Sequence, residues 1–204
     1  MSKSRLEAFT DGVIAIIITI LVLDLKSPAS ADMSALLKMV HPFLVYVVSF
    51  ATLAVYWNNH HHIFQAARGV SGKILWWNIL LLFCISLFPL TTSWVGQQLH
   101  SRVAQMTYGA LMLAANVVWA FLTRALLKEH SKDSMLARAL AGSRKSAFTI
   151  AIIVVGLFAG WFWPPAVILS CSISLVPWVV PDRRIEEHLR LSESVNENET
   201  WRGR

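Results

Sequence analysis

Charge is scarce in this sequence. Only 15% of its 204 residues are charged, whereas a soluble domain carries about a quarter. The mean hydropathy is +0.54, and no acidic or basic residue falls in the middle of a long apolar run. Proton-coupled carriers and pumps usually need an ionisable group inside the membrane. The sequence therefore indicates a multi-span membrane protein and argues against active transport.

Cysteine and catalytic motifs are also scarce. The two cysteines, Cys84 and Cys171, both lie in apolar runs, where we interpret them as small packing residues. The sequence has no glycine-rich phosphate loop, catalytic dyad or zinc-ligand spacing. Lys and Arg cluster between apolar runs, which is typical of membrane loops rather than of a nucleic-acid surface. We expect no enzyme activity, no cofactor, no bound metal and no nucleic-acid partner.

Six apolar runs are candidates for crossing a lipid bilayer, a task that needs about 20 mostly apolar residues. They cover residues 9–25, 36–57, 74–95, 103–127, 147–163 and 166–180. Pro89 predicts a kink in the third run, and the pair Pro164-Pro165 predicts a helical hairpin from the last two. We predict an all-α membrane protein with a transmembrane domain at 1–181 and a polar cytoplasmic tail at 182–204.

The distribution of Lys and Arg predicts the orientation. With the N-terminus inside, 15 of the 18 basic residues fall in cytoplasmic segments, and the outer segments carry only Lys26, Lys38 and Arg102. Such asymmetry favours an even number of spans with both termini in the cytoplasm. We expect no signal-peptide cleavage, because Asp24 and Lys26 follow the first apolar run in place of small residues.

The first run has a carboxylate near each end, at Asp11 and Asp24. These residues are 13 positions apart, which is about 20 Å along a helix and less than the roughly 30 Å hydrocarbon core. One interpretation encloses this short helix within the protein, with Asp11 paired to polar neighbours. Arg5 lies on a different helix face, so such a pair needs a bend at the helix start or partners on other helices. The alternative is a simple N-cap by Thr10 or Asp11.

Most residues of this run are β-branched, so the surfaces they form are stiff. Ile16, Ile20 and Leu23 form one stripe of the predicted helix, and Thr19 lies beside them. Periodicity cannot select this face, since nearly every position in the run is apolar. A generic packing stripe therefore remains open.

A polar cluster ends the second run and continues in the third. It contains Trp57, three successive histidines at 60–62, and Asn78. Successive helical residues point about 100° apart, so the histidines cannot converge on one metal ion. We expect one His to bond the Arg5/Asp11 cluster while the others face water, and a pH-sensing role is an alternative. The candidate partners of that cluster are Trp57, His60, His61 and Asn78.

The segment Arg5-x-x-x-Phe9-Thr10-Asp11 resembles the RxxxFSD signature of the bacterial relatives of the lysosomal and endosomal potassium channel, with Thr10 in place of Ser. The resemblance is strongest over the first three runs. It implies a six-helix subunit that forms homotetramers and lacks the TVGYG-type filter of ordinary potassium channels. The first helix of each subunit would line a central pore.

The resemblance also implies roles for individual residues. Ile16, Ile20 and Leu23 would form the hydrophobic constriction, and Thr19 would contribute to cation preference. Arg5, Phe9, Thr10 and Asp11 would tie helices together at the cytoplasmic end. We therefore predict a passive, potassium-preferring channel for monovalent cations in a bacterial cytoplasmic membrane. The alternative is a non-conducting membrane scaffold or assembly protein.

Overall fold

The computed structural model describes residues 2–67, 69–129 and 145–179, and within these ranges the chain is helical and has no strand. The helices are α1 (Lys3–Leu23), α2 (Met33–Lys38), α3 (Val40–Ala66), α4 (Gly72–Ser86), α5 (Phe88–Gln97), α6 (Arg102–Glu129), α7 (Lys145–Gly160) and α8 (Ala166–Val179). The predicted tail at 182–204 lies outside the described residues. The all-α prediction is confirmed for the described part of the chain.

Within the described residues, four helical stretches are long and apolar enough to cross a membrane: Lys3–Leu23, Val40–Ala66, Gly72–Gln97 and Arg102–Glu129. The third of these combines α4 and α5. The helices α7 and α8 are apolar but shorter. Helix α3 continues to Ala66, so His60–His62 lie within this helix rather than just beyond its end.

Proline divides the third stretch, as the sequence predicts. Pro89 has no backbone N–H to donate to the carbonyl of Ile85. At this point the Leu87 N–H donates to the Cys84 carbonyl at 3.2 Å, which is a tighter turn than an α-helix makes. The helix therefore ends at Ser86 and resumes at Phe88.

Helix α1 begins earlier than its apolar run, and this overturns two expectations. It starts at Lys3 with Ser2 as the N-cap residue, so an N-cap at Thr10 or Asp11 is wrong. Its 21 residues extend about 30 Å, enough to span the hydrocarbon core. The helix packs against α3, α4 and α5, but the other helices do not enclose it, and much of its surface is exposed on the single chain.

Three buried hydroxyl groups join helices α3, α5 and α6. The Ser49 hydroxyl lies 2.7 Å from that of Thr92 and 3.0 Å from that of Tyr108. The three side chains come from α3, α5 and α6, and all are buried. A buried hydroxyl needs a hydrogen-bond partner, so this group fixes the relative position of three helices. Sequence reasoning missed the group, because single hydroxyls in apolar runs give no sign of their partners.

The hairpin of α7 and α8 depends on glycine, as the small-residue spacing of Gly156 and Gly160 indicates. A Cβ atom at Gly156 would overlap Ser170 on α8, and one at Gly160 would overlap Val167. Close contact between membrane helices requires such small residues. The two helices therefore approach each other at the level of their backbones.

We expect Gly156→Val to destabilise the folded protein by about 1–3 kcal/mol, the usual cost of overpacking a core. Thermal unfolding in detergent, followed by circular dichroism, measures the effect. Gly72→Ala is the control, because no atom lies within 4 Å of a Cβ at that position. Equal midpoints for the wild type and the Gly156 variant would contradict the packing described here.

Candidate functional site

Helix α1 has one buried face and one exposed face. The buried face consists of Leu6, Thr10, Ile14, Ile17 and Leu21. The predicted constriction residues lie on the other face: Ile16 is 59% exposed, Ile20 is 43% exposed and Leu23 is 79% exposed. The structure therefore separates positions that hydrophobic periodicity could not distinguish. Large apolar side chains on a helix surface have to meet lipid or another protein surface.

Phe9 and Thr19 share the exposed side of α1. The Thr19 hydroxyl donates a hydrogen bond to the Ile16 carbonyl at 2.7 Å. This bond uses the only proton of the hydroxyl, so its oxygen lone pairs remain available as acceptors. An oxygen acceptor therefore lies beside the apolar stripe of Ile16, Ile20 and Leu23 on the exposed side of α1.

Near its N-terminal end, α1 is joined to α3 and α4 through a buried chain of hydrogen bonds. The Asn78 amide nitrogen donates to the Thr10 hydroxyl at 2.9 Å. The Asn78 amide oxygen lies 2.9 Å from His60 Nε2. Because that oxygen can only accept, His60 Nε2 carries a proton in this arrangement. Thr10, Asn78 and His60 are each at least 98% buried, so their polar atoms depend on one another.

A second connection joins α1 to α3 at the surface. The Trp57 indole N–H donates to Asp11 Oδ1 at 3.0 Å. The His61 ring stacks on Trp57 with 6.1 Å between ring centroids. The partner of Asp11 is thus on another helix, which is one of the two arrangements that the sequence left open. His60 is connected to α1 through Asn78 and Thr10 rather than by a contact with Asp11.

The Arg5 side chain forms no hydrogen bond or ion pair with the described residues, and it is exposed. The continuous helix from Lys3 keeps Arg5 and Asp11 on different faces. Lys3 makes the connection instead, since its ammonium group donates to the carbonyl of Ala67 at 3.0 Å and to that of Gln65 at 3.3 Å. A cation stabilises the free carbonyls at a helix C-terminus. Sequence reasoning missed Lys3, because the second apolar run was predicted to end at residue 57, whereas α3 continues to Ala66.

The described residues contain no group of three side chains suited to a metal ion. His60, His61 and His62 diverge along α3: the first contacts Asn78 and the second stacks on Trp57. The geometry therefore assigns hydrogen-bonding and packing contacts to His60 and His61.

Comparison with known proteins gives the family. Residues 5–89 match the model of the endosomal/lysosomal potassium channel TMEM175. A potassium channel of a Chryseobacterium species is 38% identical over 190 residues, which cover 93% of this chain and 99% of that protein. The mouse endosomal/lysosomal proton channel TMEM175 is 31% identical over 168 residues, but these represent only 33% of its length.

A solved structure gives the same relationship. The crystal structure of a lysosomal potassium-selective channel TMEM175 homologue from Chamaesiphon minutus aligns with a TM-score of 0.77 and 27% identity. The alignment covers 87% of this chain and 96% of that one. Together with the Chryseobacterium relative, which is matched along almost its whole length, this likeness shows that the chain belongs to the TMEM175 family.

Proposed function

We propose that this chain is the subunit of a potassium-preferring cation channel in a bacterial cytoplasmic membrane. Four copies assemble around a central axis, and α1 of each copy lines the pore. The relatives named as potassium channels support the activity. The exposed face of α1 carries the proposal, because it is uncharged from Gly12 to Leu23 and lies opposite the face packed on α3, α4 and α5.

The pore mechanism follows from the side chains on that face. Ile16, Ile20 and Leu23 form three apolar rings when four copies meet. A narrow apolar neck closes by losing its water, and it opens when dilation or rotation admits water again. Thr19 offers four oxygen acceptors within the neck to a partly hydrated cation. Without a charged ring, selectivity depends on neck width and hydration cost, so we expect only modest preference for potassium over sodium.

The remaining helices fit a six-span subunit. Helices α7 and α8 are shorter than the 20 residues that a span usually needs, but close packing at Gly156 and Gly160 makes them a hairpin. Ser71 at the start of α4 donates a hydrogen bond to Glu129 at the end of α6. This hydrogen bond and the contact of Lys3 with the end of α3 lie at the same end of the bundle. We assign that end to the cytoplasm because of the distribution of basic residues.

The signature residues have a structural role in this proposal. Thr10 and Asp11 hold α1 against α3 and α4 through Asn78 and Trp57. Arg5 and Phe9 are exposed on the single chain, and we assign them to contacts between copies. None of the four contacts the ion.

Flux through liposomes tests the function. Purified protein is reconstituted into potassium-loaded vesicles, and the external solution contains sodium or the large cation N-methyl-D-glucamine. We expect potassium to leave down its gradient without an energy source, with slower sodium entry and no passage of the large cation. A correctly assembled tetramer that passes no ion would favour the scaffold alternative.

A further inference from the structure

A cluster of cations and aromatic rings covers the α4–α6 surface at the end of the bundle assigned to the cytoplasm. Its core is a stack in which the rings of Trp77 and Phe121 are nearly parallel, with 4.8 Å between their centroids. The Arg124 guanidinium lies over the Phe121 ring, 5.8 Å from its centroid. The stack orients Arg124, whose side chain is exposed.

Two lysines extend this stack along the same helix faces. Lys73 precedes Trp77 by four residues on α4, and Lys128 follows Arg124 by four residues on α6. Residues four apart share a helix face. The hydrogen bond between Ser71 and Glu129 sets α4 and α6 in the register that brings both lysines to this end. We call Lys73, Arg124 and Lys128, together with Trp77 and Phe121, the α4–α6 basic patch.

The described residues provide no anionic partner for the cations of this patch. No ion pair with the described residues involves Lys73, Arg124 or Lys128. The nearby carboxylate of Glu129 accepts a hydrogen bond from Ser71. Three exposed cations without carboxylate partners among the described residues can therefore be neutralised by an external anion.

We propose that the α4–α6 basic patch binds the headgroup of an anionic phospholipid in the adjoining leaflet. The planar guanidinium of Arg124 matches two phosphate oxygens, and the lysines add attraction without fixed geometry. Trp76 is 71% exposed beside the patch, as expected of a tryptophan at the level of the lipid headgroups. Acyl chains then lie along the apolar surface beyond Phe121. Basic pockets between membrane helices on the cytoplasmic side recognise such headgroups.

Native mass spectrometry of the intact protein tests the proposal. The protein is exchanged into equal amounts of phosphatidylglycerol and phosphatidylcholine, and bound lipids are counted at each oligomer mass. We expect the wild type to retain phosphatidylglycerol preferentially. The triple variant K73Q/R124Q/K128Q should bind phosphatidylglycerol at least about tenfold more weakly, since each cation contributes about fivefold in affinity near an anionic surface.

The matched control is K26Q/K38Q/R102Q, which removes three exposed cations at the opposite end. Arg102 also lies over an aromatic ring, 5.1 Å from that of Trp161. We expect this control to keep the wild-type lipid count. Equal losses in the two triple variants, or no loss in the first, would overturn the assignment. Displacement of phosphatidylglycerol by an equal concentration of inorganic phosphate would also overturn the proposed lipid site, since the site would then bind a simple anion.

Discussion

Replacing Ile16 by Asn should raise the passive potassium flux of reconstituted protein about tenfold or more. In the proposed tetramer, four amide groups in the apolar neck would hold water where isoleucine excludes it, so the neck would no longer close by dewetting. A barrier lowered by about 1.4 kcal/mol is enough for a tenfold increase in rate. The increase should also reduce discrimination between potassium and sodium, because a wetter neck removes less of the hydration shell.

The matched control is Ile173→Asn. Ile173 lies on α8, is 55% exposed, and receives the same chemical change on a surface that the proposal places away from the pore. Its flux should equal that of the wild type. Flux should be compared at equal amounts of assembled protein. An Ile16 variant that assembles normally and conducts no faster than the wild type would contradict the proposed neck.

Replacing Asn78 by Leu should destabilise the folded protein by about 2–4 kcal/mol. The change leaves the His60 N–H and the Thr10 oxygen without partners, and both atoms belong to side chains that are at least 98% buried. Each orphaned buried group costs about 1–3 kcal/mol. For a chain of this length, such a loss corresponds to a fall of about 10 °C in the unfolding midpoint.

Asn116→Leu provides the control for this prediction. Asn116 is also buried, but its amide nitrogen donates to the Met112 carbonyl within the same helix, so its removal breaks no bond between helices. We expect a clearly smaller shift in the midpoint. A double-mutant cycle adds a second test, since Thr10→Val should cost less in the Asn78 variant than in the wild type. Additive effects would show that Asn78 and Thr10 do not act together.

Local sequence patterns predicted the helices and the break at Pro89, because both depend on residues close in the chain. They could not select the face of α1, since an almost uniformly apolar run has no distinguishable sides. The resemblance selected Ile16, Ile20 and Leu23 instead, and the structure places all three away from the packed face.

The partners of the polar residues were harder to predict. Trp57 and Asp11 are 46 positions apart, and Asn78 and Thr10 are 68 apart. Such pairs arise from the packing of α1 on α3 and α4, which no local pattern records. Arg5 shows the opposite case: its charge and position suggested a partner on another helix, whereas the continuous helix from Lys3 places its side chain on the exposed surface.

Thiol modification at Leu21 and Leu23 tests whether the exposed face of α1 lines the ion path. Leu23 is 79% exposed and Leu21 is 2% exposed, while the native cysteines Cys84 and Cys171 are buried. Potassium flux is measured before and after a membrane-impermeant cationic methanethiosulfonate reagent is added outside. We predict that the reagent blocks potassium flux through the Leu23→Cys variant and leaves flux through the Leu21→Cys variant unchanged. Unchanged flux after confirmed modification of Leu23→Cys would show that this face of α1 does not line the ion path.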